Sequence, residues 1–138
     1  IIPDAFKSEL LSGTHNFANG GNSFKIALYT DISGYSTSST TYSTTNEVSS
    51  SGTSYTAGGN ALDSQAVSVA SNTALVDFAD EVFSSVTLSA VGAVIYNDTN
   101  SDKLVVVLDF GGTKTATNGD FTIQFPAAGA STAIIRIA

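Results

Sequence analysis

Short apolar segments separated by turn residues recur along most of the chain, and this rhythm limits the fold more than any other feature. The predicted strands are residues 24–30, 62–69, 73–79, 83–89, 91–97, 103–110, 120–125 and 132–137. Strands that follow one another at about 8–12 residues, with turns between them, are typical of antiparallel sandwiches and barrels. The sequence therefore predicts an all-β fold, an antiparallel β-sandwich of the jelly-roll or immunoglobulin-like type with seven or eight strands.

One short helix precedes the strands. It is predicted within residues 1–13, over the segment PDAFKSELLS. Pro3 suits the first turn of a helix, and Gly13 suits its end. A chain of 138 residues is long enough for one domain but short for two. We therefore expect a single domain that spans residues 1–138.

A long polar loop is predicted at residues 31–56, where Ser and Thr dominate and few apolar residues are present to form a core layer. Tyr35, Tyr42 and Tyr55 lie in or beside this loop. Tyrosine on a background of Ser, Thr and Gly is a composition that suits protein contacts. Two interpretations stay open: the three tyrosines contact other subunits, or they fold back over the end of the sandwich.

A glycine pair, Gly58-Gly59, separates the loop from the next predicted strand. Glycine adopts positive φ angles that other residues avoid. The pair therefore predicts a bulge or corner that turns the chain into the sandwich, and a role in close approach to a ligand is the less favoured interpretation.

Charge and composition exclude several classes of function. The net charge is −7, with only five Lys and Arg residues, which disfavours binding to nucleic acid. No apolar run approaches the ~20 residues of a membrane span, so no membrane contact is expected. The absence of cysteine excludes disulfides and thiolate chemistry. Charged residues make up 12% of the chain, about half the usual share, which suits a protein that buries much of its surface against neighbours.

The ionisable residues do not form a recognisable active site. His15 lacks the partners that a triad or a metal site needs, so a role in a turn or cap is expected. Asp77, Asp80 and Glu81 cluster at the end of a predicted strand. A pair of carboxylates can hydrolyse glycosides, but a solvated turn is the better interpretation. We therefore expect no enzymatic activity and no cofactor.

Two motifs resemble ligand-binding loops only in part. Asp98, Asn100 and Asp102 have the spacing that begins a calcium loop, but Lys103 stands where the glycine belongs and the bidentate Glu is missing. A hairpin turn is favoured there, and calcium binding stays open as the alternative. The segment DFGGTKT, residues 109–115, lacks the spacing of a phosphate-binding loop and is also predicted to be a hairpin turn.

Several segments, in order over nearly the whole chain, resemble small virion structural proteins of tailed bacteriophages. They are FKSELLSGTHNF, FKIALYT, TTNEVSSSGTSYTAGG, VGAVIYND and LVVVLDFGGTKTATNGDFTIQFPAAGASTAIIRIA. Proteins of this group include capsid cement or decoration proteins, β-rich modules that dock on the expanded capsid shell. The resemblance carries no catalytic residues, cofactor or metal.

The resemblance implies a cement function on the outer capsid surface of the virion, with assembly in the host cytoplasm. The expected partners are the major capsid protein and further copies of the chain itself, with a trimer as the first expectation. The absence of cysteine and the lack of a signal-peptide pattern at residues 1–11 agree with cytoplasmic assembly. The alternative is a tail or head-fibre component of the virion that binds a host surface glycan.

Overall fold

Two antiparallel sheets and one helix make up the fold in the computed structural model, which describes all 138 residues. The elements are α1 (Asp4–Leu11), β1 (Phe24–Tyr29), β2 (Asn60–Ala61), β3 (Ala66–Ala70), β4 (Thr73–Asp77), β5 (Glu81–Asn97), β6 (Lys103–Ile123) and β7 (Ile135–Ile137). One sheet has the strand order β2-β1-β5-β6, and the other has the order β3-β4-β7. All pairings are antiparallel, so the predicted all-β class is confirmed.

The helix lies where its sequence signals predict it. Pro3 occupies the N-cap position in an extended conformation, and Gly13 adopts a φ of 81° just beyond the C-terminus of the helix. Phe6 is buried, and its ring packs edge-on against Phe17 at 6.1 Å between centroids. The helix therefore attaches to the rest of the domain through one apolar side.

Strands β5 and β6 are much longer than predicted. The predicted strands 83–89 and 91–97 are one strand, and so are the predicted strands 103–110 and 120–125. The predicted hairpin turn at 109–115 is therefore wrong.

A bulge accounts for this difference. Ala90 lies opposite Lys114 and Gly92 opposite Asp109, so the four residues 110–113 of β6 face the single residue 91 of β5. Glycines at 111 and 112, with φ of 74° and 158°, allow this local expansion. The chain does not reverse there, because the residues on both sides of the bulge continue to pair with β5.

Two other turns agree better with the sequence. Residues 98–102 form the predicted hairpin turn between β5 and β6. Ser71 and Asn72, with φ of 46° and 62°, form a two-residue turn between β3 and β4. The predicted strand at 62–69 is wrong as a single strand, because β2 ends at Ala61 and β3 begins at Ala66.

The main core contains side chains from both sheets and from α1, in a cluster of 23 buried residues. A second, smaller cluster lies on the other face of the four-stranded sheet. Its members are Ala27, Tyr29, Val94, Tyr96, Leu104 and Val107. This sheet is therefore covered on both faces where β1, β5 and β6 meet.

The run LVVVL, residues 104–108, is predicted from its continuous apolar sequence to be a central strand covered on both sides. Residues 104–107 are indeed buried. The central position is wrong, since β6 is the edge strand of its sheet. Part of this edge is closed by backbone hydrogen bonds from Leu104 N to Thr40 O, at 3.0 Å, and from Val107 N to Ile1 O, at 2.8 Å.

Residues 30–59 contain turns, bends and two isolated bridges but no helix or extended ladder. The segment ends at Gly58 and Gly59, whose φ angles are 92° and 78°. A Cβ atom on Gly59 would collide with the backbone of Ile26. The prediction that the glycine pair shapes a corner is confirmed, and the corner leads directly into β2.

Candidate interaction surface

A single carboxylate organises the segment 30–59. Glu47 accepts hydrogen bonds from the hydroxyl groups of Tyr42, at 2.6 Å, and Tyr55, at 2.7 Å. It also accepts one from the backbone N–H of Gly58 at 2.8 Å. The Tyr55 hydroxyl in turn accepts a hydrogen bond from Leu28 N at 3.0 Å. Glu47 therefore joins the middle of the segment to its C-terminal end, and Tyr55 links both to strand β1.

Two further tyrosines extend this network across the sheet. Tyr29 donates to the carbonyl of Ser43 at 2.6 Å, and Tyr35 donates to the Tyr29 hydroxyl at 2.9 Å. The ring of Tyr96 stacks on Tyr42 with 4.5 Å between centroids. Its hydroxyl donates to the carbonyl of Gly58 at 2.6 Å. We call these five tyrosines and Glu47 the tyrosine–glutamate network.

Burial makes the tyrosine hydroxyls of this network hard to ionise. It is the largest cause that raises the pKa of Tyr29, Tyr42, Tyr55 and Tyr96 above 10. The neighbouring carboxylate of Glu47 adds to the rise of the pKa in each of them. These hydroxyls therefore act as hydrogen-bond donors at any ordinary pH.

The three tyrosines predicted to contact other subunits all belong to this network. Tyr55 is only 3% exposed, so its ring lies beneath the surface. Tyr35 and Tyr42 are half-buried and pack against the smaller hydrophobic cluster. Direct contact of Tyr35 and Tyr42 with another subunit stays a prediction. The outermost groups of the segment are instead the Ser and Thr side chains around them.

Sequence reasoning missed Glu47 as the centre of this arrangement. A signal was present, because Glu47 is the only charged residue between Asp31 and Asp63. A lone carboxylate in a long uncharged segment, with tyrosines at 42 and 55 on either side, indicates a buried acceptor for their hydroxyls. Tyr29 and Tyr96 gave no such signal, since each looks like an ordinary strand residue.

His15 is a structural residue in a buried polar cluster. Its Nε2 lies 2.9 Å from Glu9 Oε2, and its Nδ1 lies 3.0 Å from the Asn97 side-chain amide nitrogen. Lys103 donates to the other Glu9 oxygen at 2.8 Å. Burial acts to raise the pKa of Glu9, but the hydrogen bonds and charges of Lys103 and His15 outweigh it and hold the pKa below its usual value. This cluster joins α1 to the β5–β6 hairpin.

The residues of the calcium-like motif have separate partners. Asp98 lies 3.6 Å from the Lys25 ammonium group, and the Asn100 amide donates to Thr14 O at 2.5 Å. Asp102 accepts at its backbone carbonyl from Tyr42 N. No group of three or more His, Cys, Asp or Glu side chains in the chain is arranged to hold a metal ion.

The carboxylates near the start of β5 are also engaged separately. Asp80 accepts a hydrogen bond from Phe125 N at 2.8 Å, and Glu81 accepts one from the Asn60 side chain at 3.0 Å. Each holds a neighbouring segment in place. Asp77 is half-buried at the end of β4.

Comparison with known proteins finds no matching family model, no similar curated protein and no similar solved structure. The one helix is too short to cross a bilayer.

Proposed function

We propose that this chain is a non-catalytic cement or decoration protein of a tailed-bacteriophage capsid. In this proposal it binds the major capsid protein lattice on the outer surface of the virion and stabilises the shell. The observation that carries the proposal is the surface of residues 30–58, which is nearly uncharged and is held in place by the tyrosine–glutamate network. The resemblance of the sequence to small phage virion proteins sets the class of partner.

Prior ordering favours this surface as a binding site. A flexible loop must lose conformational freedom when it binds, and this cost weakens the complex. Here three hydrogen bonds to the Glu47 carboxylate order the segment before any partner arrives. The exposed side chains, among them Ser38, Thr44 and Ser50, then form a fixed array of hydroxyl groups.

The charge distribution supports contacts with protein rather than with ions or phosphates. The segment has two carboxylates: Asp31 is exposed at its start, and Glu47 points at interior donors. Hydrogen bonds and apolar contacts are little weakened by salt, whereas surface ion pairs are screened. Repetition over a capsid lattice converts such modest contacts into strong overall attachment.

The type of β fold can also be proposed from the core. The main core is shared by side chains of the four-stranded and three-stranded sheets. This supports a β-sandwich of the jelly-roll or immunoglobulin-like type, with the polar segment covering the outer face of the larger sheet. A rigid module of this kind suits a protein that spans neighbouring capsid subunits.

The alternative, a tail or head-fibre component that binds a host glycan, needs aromatic rings at the surface. The tyrosine rings of this chain pack against one another and against the sheet, as Tyr42 does on Tyr96. This arrangement favours the cement function over the glycan-binding one.

The decisive experiment compares complete particles with particles that lack the protein. Cryo-electron microscopy should find it on the shell in proportion to the major capsid protein. Particles without it should release DNA at a lower temperature, and adding the purified protein back should restore the release temperature. Location at the tail, or equal release temperatures, would overturn the proposal.

Paired variants test the surface itself. Thr44→Lys with Ser50→Lys places two long cations on the segment without touching the tyrosine–glutamate network. Thr117→Lys with Thr122→Lys is the matched control, since both residues are exposed on β6 and the charge change is the same. The first pair should reduce occupancy on capsids at least about tenfold, which corresponds to the loss of one or two hydrogen bonds, and the second should not. Equal occupancy would exclude the segment as the contact surface.

A further inference from the structure

Strand β3 is exposed on both of its faces and along one edge. It pairs only with β4 and is the outer strand of the three-stranded sheet. Residues 66–69 are all exposed, and the side chains of Val67 and Val69 are 54% and 73% exposed. Natural proteins usually protect such edges with Lys, Pro or a bulge. The sequence AVSVA has none of these.

The turn geometry determines which backbone groups face outward. A two-residue turn at Ser71 and Asn72 makes the flanking residues Ala70 and Thr73 a hydrogen-bonded pair. Hydrogen-bonded pairs then alternate along the ladder, so the N–H and C=O groups of Val67 and Val69 point away from β4. Four backbone groups are therefore free for a further strand.

The sequence of β3 reads the same in both directions. In an antiparallel pair of two such strands centred on Ser68, Val67 of one copy lies opposite Val69 of the other. This register joins all the outward groups in four hydrogen bonds, two at each Val67–Val69 pair. It also places the valine side chains in contact across the pair, on the face that they share.

The charge distribution permits pairing at β3. Two copies with a net charge of −7 repel each other wherever their carboxylates approach. Residues 64–76 contain no charged side chain, and the flanking acids are Asp63 and Asp77. In the register centred on Ser68, Asp63 would lie opposite Thr73 of the second copy. No carboxylate then faces another across the pair.

An apolar groove of about 350 Å³ continues from this edge. Its lining includes Leu10, Phe17, Val67, Ala74 and Ile137. Side chains directly opposite each other in an antiparallel ladder share a face, so Val67 and Val69 lie on the same face as Ala74. A second β3 strand would therefore extend the apolar wall of this groove.

We propose that β3 is a self-pairing edge, and that two copies of this chain form a twofold dimer with a continuous six-stranded sheet. The strand order across the dimer is β7-β4-β3, then β3-β4-β7 of the second copy. This inference concerns the free protein and does not depend on the capsid function. It differs from the trimer that the sequence resemblance implies.

A proline substitution tests the pairing. Val69→Pro removes an outward N–H and leaves the hydrogen bonds between β3 and β4 intact. Two of the four intermolecular hydrogen bonds are lost by symmetry, so dimerisation should weaken by about thirtyfold. Val69→Thr is the matched control, because it keeps the N–H and the β-branched shape. Sedimentation equilibrium should give twice 14.1 kDa for the wild type and the control, and a monomer for the proline variant at the same concentration.

Crosslinking tests the register even where the proline variant folds poorly. The chain has no cysteine, so Ser68→Cys introduces a single thiol. In the proposed register the two Ser68 residues form a non-hydrogen-bonded pair, whose Cα atoms lie about 4.5 Å apart, within disulfide range. Mild oxidation should crosslink this variant at least about tenfold faster than Ser38→Cys, an exposed site on the polar segment.

Three results would overturn the inference. The wild type could be a monomer or a trimer, or it could be a dimer that Val69→Pro does not weaken and in which Ser68→Cys does not crosslink faster than Ser38→Cys. A monomer in solution that still stabilises capsids would leave the cement proposal standing. A dimer that fails to bind capsids would leave the self-pairing of β3 standing and overturn the cement proposal.

Discussion

The hydroxyl of Tyr55 donates a 2.7 Å hydrogen bond to the carboxylate of Glu47, eight residues earlier in the chain. Because Tyr55 is buried against strand β1, this bond anchors a long polar segment to the core. The same carboxylate holds Tyr42 and the N–H of Gly58. The order of the segment therefore depends on one acidic residue.

Replacing that residue should loosen the segment and destabilise the fold. Glu47→Gln removes the charge and places an amide N–H₂ group next to the hydroxyl and N–H donors that Glu47 binds. We expect a loss of about 2–3 kcal/mol in the free energy of unfolding, since bonds to charged groups contribute the most. Urea denaturation measures the change. Glu81→Gln is the control, because Glu81 accepts only one side-chain hydrogen bond, from Asn60; equal losses in the two variants would contradict the central role of Glu47.

Alkaline conditions should unfold the protein through its tyrosines. Burial raises the pKa of Tyr29, Tyr42, Tyr55 and Tyr96 in the folded state above the unfolded value near 10. A raised folded pKa contributes stability that is complete below pH ~10 and is lost as the pH rises above it. Absorbance at 295 nm should show these four tyrosines ionising together with the loss of near-ultraviolet circular dichroism. Reversible ionisation of all four near pH 10 with the fold intact would refute this.

Low pH should destabilise the fold in part by protonating Glu9. Burial opposes its ionisation, but Lys103 and His15 lower the pKa of Glu9 in the folded state below its ordinary value. A lowered folded pKa contributes stability that is present above the unfolded value of ~4.3 and is lost as the pH falls through the folded value. Glu9→Gln should therefore be less stable than the wild type at pH 7. It should also lose less stability than the wild type between about pH 5 and pH 2, the range over which such a carboxylate titrates.

The control for this acid effect is Asp4→Asn, which also removes a carboxylate from α1. Asp4 pairs with Lys7 at 2.8 Å, but both side chains are mostly exposed. Such pairs contribute little to stability. Thermal unfolding of the two variants across this pH range should separate them, and parallel curves would show that the Glu9 cluster has no special role.

Two glycines with similar positive φ angles allow the cost of backbone strain to be separated from the cost of a steric collision. Gly52 and Gly59 have φ angles of 72° and 78°. A Cβ on Gly52 meets no atom within 4 Å, whereas a Cβ on Gly59 collides with the backbone of Ile26. Gly52→Ala should therefore cost about 1–2 kcal/mol, the usual penalty of this conformation. Gly59→Ala should cost at least about 2 kcal/mol more, because β2 must move away from β1; equal midpoints of denaturation would contradict this account.

Local patterns determined the class of the fold and several of its parts. Alternation and turn residues predicted the β class, Pro3 and Gly13 bounded the helix within about a residue, and NDTNSD marked a real hairpin turn. These features depend on neighbours in the chain, because each residue's backbone preference and the spacing of apolar side chains act over a few residues. The positive φ angles at Gly58 and Gly59 were predictable for the same reason.

Contacts between distant parts of the chain decided where strands end and how the tyrosines are placed, which local patterns left open. Gly111 and Gly112 look like a turn, yet they form a bulge because residues 114–123 find partners on β5. From the sequence, Tyr42 and Tyr55 could either contact another subunit or fold back over the sandwich, and in the structure both hydroxyl groups bind Glu47. The sequence by itself determined the β class, the helix, the turn at residues 98–102 and the corner at Gly58-Gly59. Only the tertiary structure decided which strand edges stay open and where each tyrosine points, because these outcomes depend on contacts between residues far apart in the chain.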